Sequence, residues 1–382
     1  MISASLLPSS QISFTTSSQD VNHTSSLHRY DGPMRTGARR VSVSNVSLDT
    51  NIQERDEYGF LKSSSEDAKT QILWVDISRT GFSTGSWRVK QAIRRGIPQK
   101  YRKEAWFVYS GAQEMRQEGY LDTLLVSSTP ALELIQCSFD ADCRCGAILS
   151  GCGKLFEQRI LDAVRSTMAC LLTHRPKLEY SQTLASIVAL VVVVQDGDME
   201  KSFWILESLL SRLPSDWFEE LHLQMFLDRD VFLRLFADKL PRLHKHCDDL
   251  KIPLNMLIGA WFQNLFVGYL PPNTVLHFFD ALLHEGVKVV HRTGLALLKL
   301  NESQLLNITS PQHLFRTISQ IPGTLHNSQV LMETAFDRIG ALSLSTIESY
   351  RLELRDSYMS ALDVRRFSIR KQRMSLSAQH QI

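Results

Sequence analysis

Two side chains in this sequence, Arg144 and Gln182, stand 38 positions apart. A guanidinium can neutralise negative charge that develops on a transferring phosphoryl group, and a carboxamide can orient the attacking water. Presented from one surface, the two could complete a hydrolytic site around a phosphate ester. The chain carries no phosphate cradle of its own: a Walker A loop, a Gly-x-Ser-x-Gly elbow and a His-Glu-x-x-His helix are all absent from it. The nucleotide would therefore have to be another molecule's.

Other residue types with chemical potential carry less weight. Cys137, Cys143, Cys145 and Cys152 fall within 16 residues, but no two have the Cys-x2-Cys spacing with which short turns wrap zinc. They read as free thiols in a loop. His244 and Asp248 lie four apart, as helical metal ligands would, with His246, Cys247 and Asp249 around them. A polar helix end is the better account of that group, and no metal is expected.

The elements that must position Arg144 and Gln182 are helical. Apolar residues recur at helical spacing from Trp87 to about residue 345. One stripe runs through Phe156, Ile160, Val164, Met168 and Leu171/Leu172. A second takes Trp204, Leu206 and Leu209/Leu210, and a third Leu254, Leu257/Ile258, Trp261/Phe262 and Leu265. Pro98, Pro176, Pro214, Pro241, Pro253, Pro271/Pro272 and Pro322 punctuate these runs where helices would start or stop. Strand-like alternation is nearly missing, and Val191–Val194 reads as the end of a buried helix. The expected fold class is all-α, with no repeat of fixed period.

Composition narrows the function classes. The 382 residues suffice for a sizeable core, and 42 Lys and Arg against 40 Asp and Glu leave a net charge of +2. That balance gives no nucleic-acid signal. Ile187–Val194 is far too short to span a bilayer, and the first 27 residues hold neither a basic nor a long apolar leader. A cytoplasmic protein is expected. Residues 1–85 are rich in Ser and Thr and read as mostly disordered, 86–345 as the folded domain, and 346–382 as a C-terminal helix with a basic tail. Ser42, Ser368 and Ser375 each follow basic residues, as kinase targets do, and the tail's Arg365, Arg366, Arg370, Lys371 and Arg373 would suit a weak membrane-surface contact.

The chain resembles the TBC domain of Rab GTPase-activating proteins from Trp87 to Pro322. The opening motif is carried by Trp87, Ile93, Gly96-Ile97-Pro98, Arg102, Trp106 and Ser110-Gly111-Ala112, with Tyr120 and Leu124-Leu125 after it. Tyr180-Ser181-Gln182-Thr183 is similar to the family's Tyr-Cys-Gln-Gly, and Phe203-Trp204 to its Phe-Trp pair. Trp261-Phe262…Leu265-Phe266, Val275-Leu276…Phe279-Asp280…Glu285-Gly286 and His291-Arg292…Ala296-Leu297-Leu298-Lys299 follow in family order. The arginine motif, Ile-x-x-Asp-x-x-Arg-Thr in the family, is least well kept. Around Arg144 the aspartate, Asp142, is two positions ahead instead of three, and Cys145 follows where Thr is usual. Arg165 has Asp162 three ahead, but it and Arg159 sit close before Tyr180, on the helix leading into the glutamine motif.

The resemblance implies a multi-helix TBC-like domain that acts in vesicle trafficking. It implies that Arg144 and Gln182 are lent to a Rab-type GTPase, accelerating GTP hydrolysis by a dual-finger mechanism, with Tyr180 and Ser181 at the partner surface. Tyr180, Arg102, Trp106 and the Gly-Ile-Pro turn also read as packing residues. No cofactor belongs to the chain, since GTP and Mg²⁺ would be the partner's, and recruitment to endomembranes would follow. The alternative is a TBC module of weak or no activity that binds a Rab as a scaffold. The changed arginine motif and Thr183 favour that alternative, and the retained Gln182 favours activation.

Overall fold

Helix signals in the sequence become helices wherever the chain can be followed. A computed structural model describes residues 56, 58, 60, 68–82, 85–135, 152, 154, 157–219 and 222–355. Among them the elements are α1 (Ala68–Arg79), α2 (Trp87–Arg94), α3 (Gln99–Tyr109), α4 (Ala112–Met115), α5 (Tyr120–Ser127), α6 (Thr129–Ile135) and α7 (Gln158–His174). Next come α8 (Gln182–Val194), α9 (Met199–Arg212), α10 (Leu223–Lys239), α11 (Pro241–Asp249), α12 (Leu254–Gln263) and α13 (Pro272–Glu285). They are followed by α14 (Lys288–Leu300), α15 (Glu302–Leu306), α16 (Pro311–Thr324), α17 (Ser328–Glu333), a π-turn (Thr334–Arg338) and α18 (344–355). The only extended pairing among the described residues is a single bridge between Leu178 and Glu219, so the class is all-α as expected.

Local chemistry sets many of the boundaries. Ser86, Ser181, Asp198, Ser310 and Asn327 are N-caps whose side-chain oxygens accept from the first turn of α2, α8, α9, α16 and α17. Pro241, Pro272 and Pro311 occupy first helical positions, where a missing N–H costs nothing. Pro98 stands one position earlier, as the N-cap of α3, and Pro322 lies within the last turns of α16.

The core is organised around α8, which is buried from Leu184 to Val194 and packs against α7 and α9. The three sequence stripes face inward: Ile160, Val164, Met168 and Leu171 are buried, as are Trp204, Leu206 and Leu209, and Leu254, Ile258, Trp261 and Phe262. Leu257 is only half-buried, and Phe156 lies outside the described residues. Tyr58, Phe60 and Trp74 also enter the core, although they precede residue 86. Trp74 donates its Nε1–H to the carbonyl of Gly96 at 3.0 Å, which pins α1 to the turn after α2. At the other end, Arg351 of α18 forms a two-pronged bond to the buried Asp228 of α10, at 2.5 and 2.6 Å. Ile347 of α18 is buried too.

One buried carboxylate joins the opening helices to α13. Asp280 accepts from Ile97 N at 3.0 Å, Arg102 Nε at 2.9 Å and Trp106 Nε1 at 2.7 Å. Burial alone would push the Arg102 guanidinium down; the Asp280 charge holds it above its ordinary range. Phe279 stacks on Trp106 with ring centroids 6.0 Å apart. Beside this hub, Glu285 binds Arg94 at 2.6 Å, Lys288 at 2.7 Å and Lys90 at 3.3 Å. Among the described residues, no helix is long and apolar enough to cross a membrane.

Candidate functional site

The segment that delivers Gln182 begins where α7 stops. Pro176 cannot continue the helix, and residues 175–178 form a turn closed by Leu178 N donating to Arg175 O at 2.9 Å; Leu178 then bridges Glu219, and Glu179 N donates to Phe218 O at 3.3 Å. Arg175 anchors the start: its Nε and Nη2 reach the Glu207 carboxylate at 2.7 and 2.6 Å, and Nη2 also reaches Ser211 Oγ at 2.7 Å. Burial would raise the Glu207 carboxyl, but its bonds to Arg175 hold it below the ordinary carboxylate range.

Ser181 then turns the chain into α8. It is extended (φ −147°, ψ 153°), and its Oγ accepts from Leu184 N at 3.2 Å. Gln182 is the first residue of α8, and its side chain is exposed while the helix behind it is buried. Thr183 donates its Oγ1–H to Asn264 Oδ1 at 2.8 Å, and Asn264 Nδ2 donates to Ala260 O at 2.8 Å. The start of α8 is thereby tied to the end of α12. Beyond Asn264, Leu265 and Phe266 hold left-handed backbone (φ 45° and 58°), a conformation such residues adopt only where packing imposes it. Both are buried, which supplies that packing.

The expected site residues are thus placed unequally. Gln182 and Ser181 stand at a fixed helix start, and Tyr180 is half-buried and packs against the core. Arg144 lies outside the described residues, as do Asp142, Cys137, Cys143 and Cys145. The two nearby arginines set aside in the sequence reading are held elsewhere. Arg159 binds Asp196 O at 2.6 Å, beyond the far end of α8, about 20 Å from Gln182 at 1.5 Å rise per residue. Arg165 is engaged by Asp162 on its own helix at 2.8 Å.

The described members of the metal-like groupings make other contacts. His244 Nδ1 lies 3.4 Å from Asp248 Oδ2, and His246 Nε2 contacts Ile308 O at 2.9 Å. Cys152 is buried and donates to Tyr58 O at 2.8 Å. Among the described residues, no cluster of three or more His, Cys, Asp or Glu is arranged to hold an ion.

Sequence reasoning missed Asn264, the residue that fixes Thr183. Its only signal is its place two positions after Phe262 in the late Trp-Phe motif, where a polar side chain at a helix C-terminus is unremarked. It also missed that Thr183, in place of a glycine, gains a bond that a glycine cannot make.

Comparison with known proteins agrees with this architecture. A sequence model of the Rab-GTPase-TBC domain matches residues 99–306, more than half of the chain. Growth hormone-regulated TBC protein 1 of Homo sapiens is 27% identical over 296 residues, covering 73% of this chain and 84% of that protein. Growth hormone-regulated TBC protein 1-A of Danio rerio is 26% identical over 353 residues, covering 83% and 95%. Among solved structures, the Chlamydomonas flagellar RabGAP TBC domain superposes with a TM-score of 0.63 at 24% identity, over 75% of this chain and all of that one, a likeness of fold. Helices, motif order and the matched span together assign the chain to the Rab-GTPase-TBC domain family.

Proposed function

We propose that the chain accelerates GTP hydrolysis by a Rab-type small GTPase, with Gln182 positioning the attacking water and Arg144 neutralising charge on the γ-phosphate. The observation that carries this reading is the setting of Gln182: an exposed carboxamide at the first position of a buried helix, capped by Ser181 and tied through Thr183 to Asn264. With the backbone already fixed there, only the side chain's own rotamers remain to be ordered when it meets a partner. The helix start adds partial positive charge, which favours a phosphate. GTP and Mg²⁺ belong to the partner, and recruitment to endomembranes would follow the GTPase, with the basic tail as an auxiliary contact.

A second reading, a TBC module that binds a Rab without activating it, is favoured by Asp142 standing two rather than three positions before Arg144, and by Thr183. The two separate in one experiment. A panel of GTP-loaded Rab proteins is tested for binding and for single-turnover hydrolysis. Activation is supported by a rate increase on the order of 10³ or more with at least one Rab. Nucleotide-dependent binding with an unchanged rate selects the scaffold, and no binding across the panel rejects both.

A further inference from the structure

From Ile252 to Phe279 the chain holds no Lys, Arg, Asp or Glu, although 21% of the whole is charged. Part of that run is core, but α12 also has an outer side. Asn255 and Met256 are exposed there, and Ala260, Gln263 and Asn264 are half-buried. At about 100° per residue, Met256, Ala260 and Gln263 fall on one stripe about 60° wide, with Asn264 beside it. Met256 is 66% exposed. The neighbouring charge on α10 is turned to other partners: Arg229 Cδ lies 3.5 Å from where a Cβ on Gly259 would stand, while its guanidinium meets Asp230 at 2.7 Å and lies 5.1 Å over the Phe226 ring. An exposed methionine on ground cleared of charge is the composition found at the centre of protein interfaces.

The setting of Gln182 decides what covers this face. The bond from Thr183 to Asn264 places the end of α12 against the start of α8. Met256 stands eight residues before Asn264, about 12 Å along the axis. A protein that engages Gln182 through an interface of standard size covers about 800 Å² of this chain, a patch on the order of 16 Å in radius. Met256 falls within that reach. With the γ-phosphate at Gln182, the parts of a GTPase next to it are the switch segments, which the γ-phosphate and its Mg²⁺ hold in order.

We infer that Met256 is the apolar anchor through which the chain grips the nucleotide-ordered switch surface of its GTPase, and so prefers the GTP-bound form. The inference rests on Gln182 meeting a GTPase as proposed above, but not on hydrolysis following. Met256 is a docking residue and touches no reacting atom.

The test uses the full chain and the panel of Rab proteins, each loaded with a non-hydrolysable GTP analogue or with GDP, and measures binding by titration calorimetry. The variants are Met256→Glu, Met256→Leu and Ile72→Glu. Ile72 is an exposure-matched control at 67%, on α1, whose Trp74 stacks on Tyr101. Close by, Lys103 O receives Gln195 at the far end of α8, about 20 Å from Gln182. All three side chains are replaced on the surface, and matched urea midpoints show that the variants fold. Met256→Glu should weaken binding of the triphosphate form about tenfold or more and narrow the preference over GDP, with Met256→Leu within about twofold of wild type and Ile72→Glu unchanged. Where a Rab is activated, the hydrolysis rate at saturating Met256→Glu should stay within about threefold of wild type. Binding by Met256→Glu within about twofold of wild type, or equal weakening by Ile72→Glu, overturns this inference alone. So does sedimentation showing a wild-type dimer that Met256→Glu dissociates, since the face would then belong to a second copy. A wild-type chain that binds no member of the panel overturns the GTPase reading and this inference together.

Discussion

Replacing Asp280 with Asn probes how the family motifs hold the domain together. The side chain keeps its shape but loses its charge, and an amide N–H₂ replaces one carboxylate oxygen. Oδ1 receives Arg102 Nε and Trp106 Nε1, whereas Oδ2 receives Ile97 N and, at 3.2 Å, Arg102 Nη2. Whichever way the amide turns, at least one buried donor faces another donor. Arg102, with 11% of its side chain exposed, is left as a buried charge with its counterion gone. Breaking such a pair from one side costs about 3–5 kcal/mol, a large part of a typical total stability of about 5–15 kcal/mol. Urea unfolding followed by far-UV circular dichroism measures it. The Arg102→Met/Asp280→Asn double variant removes the stranded charge and should recover part of the loss, so the two changes are not additive. A cost under about 1 kcal/mol for Asp280→Asn, or strict additivity, would refute the view that this carboxylate is the hub.

Four further outcomes are expected. Burial would raise the Glu285 carboxyl, but Arg94 and Lys288 hold it at about 2, so its ionised form stabilises the fold. That contribution, about 3 kcal/mol at 1.36 kcal/mol per pH unit, is complete above pH 5 and is lost as pH falls from about 4.5 toward 2. The stability gap between wild type and Glu285→Gln should narrow over that interval in acid titration of urea midpoints. A methyl added at Gly294 would meet Phe232 Cε2 at 2.7 Å, so Gly294→Ala should destabilise by about 1–3 kcal/mol despite the better helix propensity of alanine, checked by thermal unfolding. Arg351→Met strands the buried Asp228 and should cost about 3–5 kcal/mol, measured by urea unfolding with Asp228→Asn/Arg351→Met as the recovering partner. Burial pushes the Cys247 thiol up to about 12 and the Cys170 thiol up to about 11, so mass-spectrometric mapping of maleimide labelling should find both unmodified until the chain unfolds.

Much of the helical body is legible in the sequence because long amphipathic helices repeat their signal every turn. The stripes through Ile160 to Leu171 and Leu254 to Phe262 are buried where the 3.6-residue period puts them. Short or isolated apolar stretches give no such signal: Tyr58 and Phe60 stand in a charge- and Ser-rich stretch, Trp74 sits in the brief run Ile72–Val75, and their burial depends on partners farther along the chain. The convergence on Asp280 was equally hidden, since Ile97 and Asp280 are 183 positions apart. At the site, Gln182 was found through its motif, whereas the capping of its helix by Ser181 emerged from the structure. The bond from Thr183 to Asn264 spans 81 positions and carries no local mark. The Arg144 half of the site is outside the described residues, so its role rests on the motif resemblance alone.

The claim that Gln182 and Arg144 are lent to a partner's nucleotide is tested most directly by single-turnover GTP hydrolysis. The assay uses a responsive GTP-loaded Rab with wild-type chain, Gln182→Ala, Arg144→Ala and the double variant. Binding of the GTP-loaded Rab is measured alongside. The expected result is a loss on the order of 10²–10³ in stimulated rate for each single variant, with binding retained within a fewfold and the double variant little worse than the more damaged single. Full stimulation by both single variants would contradict the account.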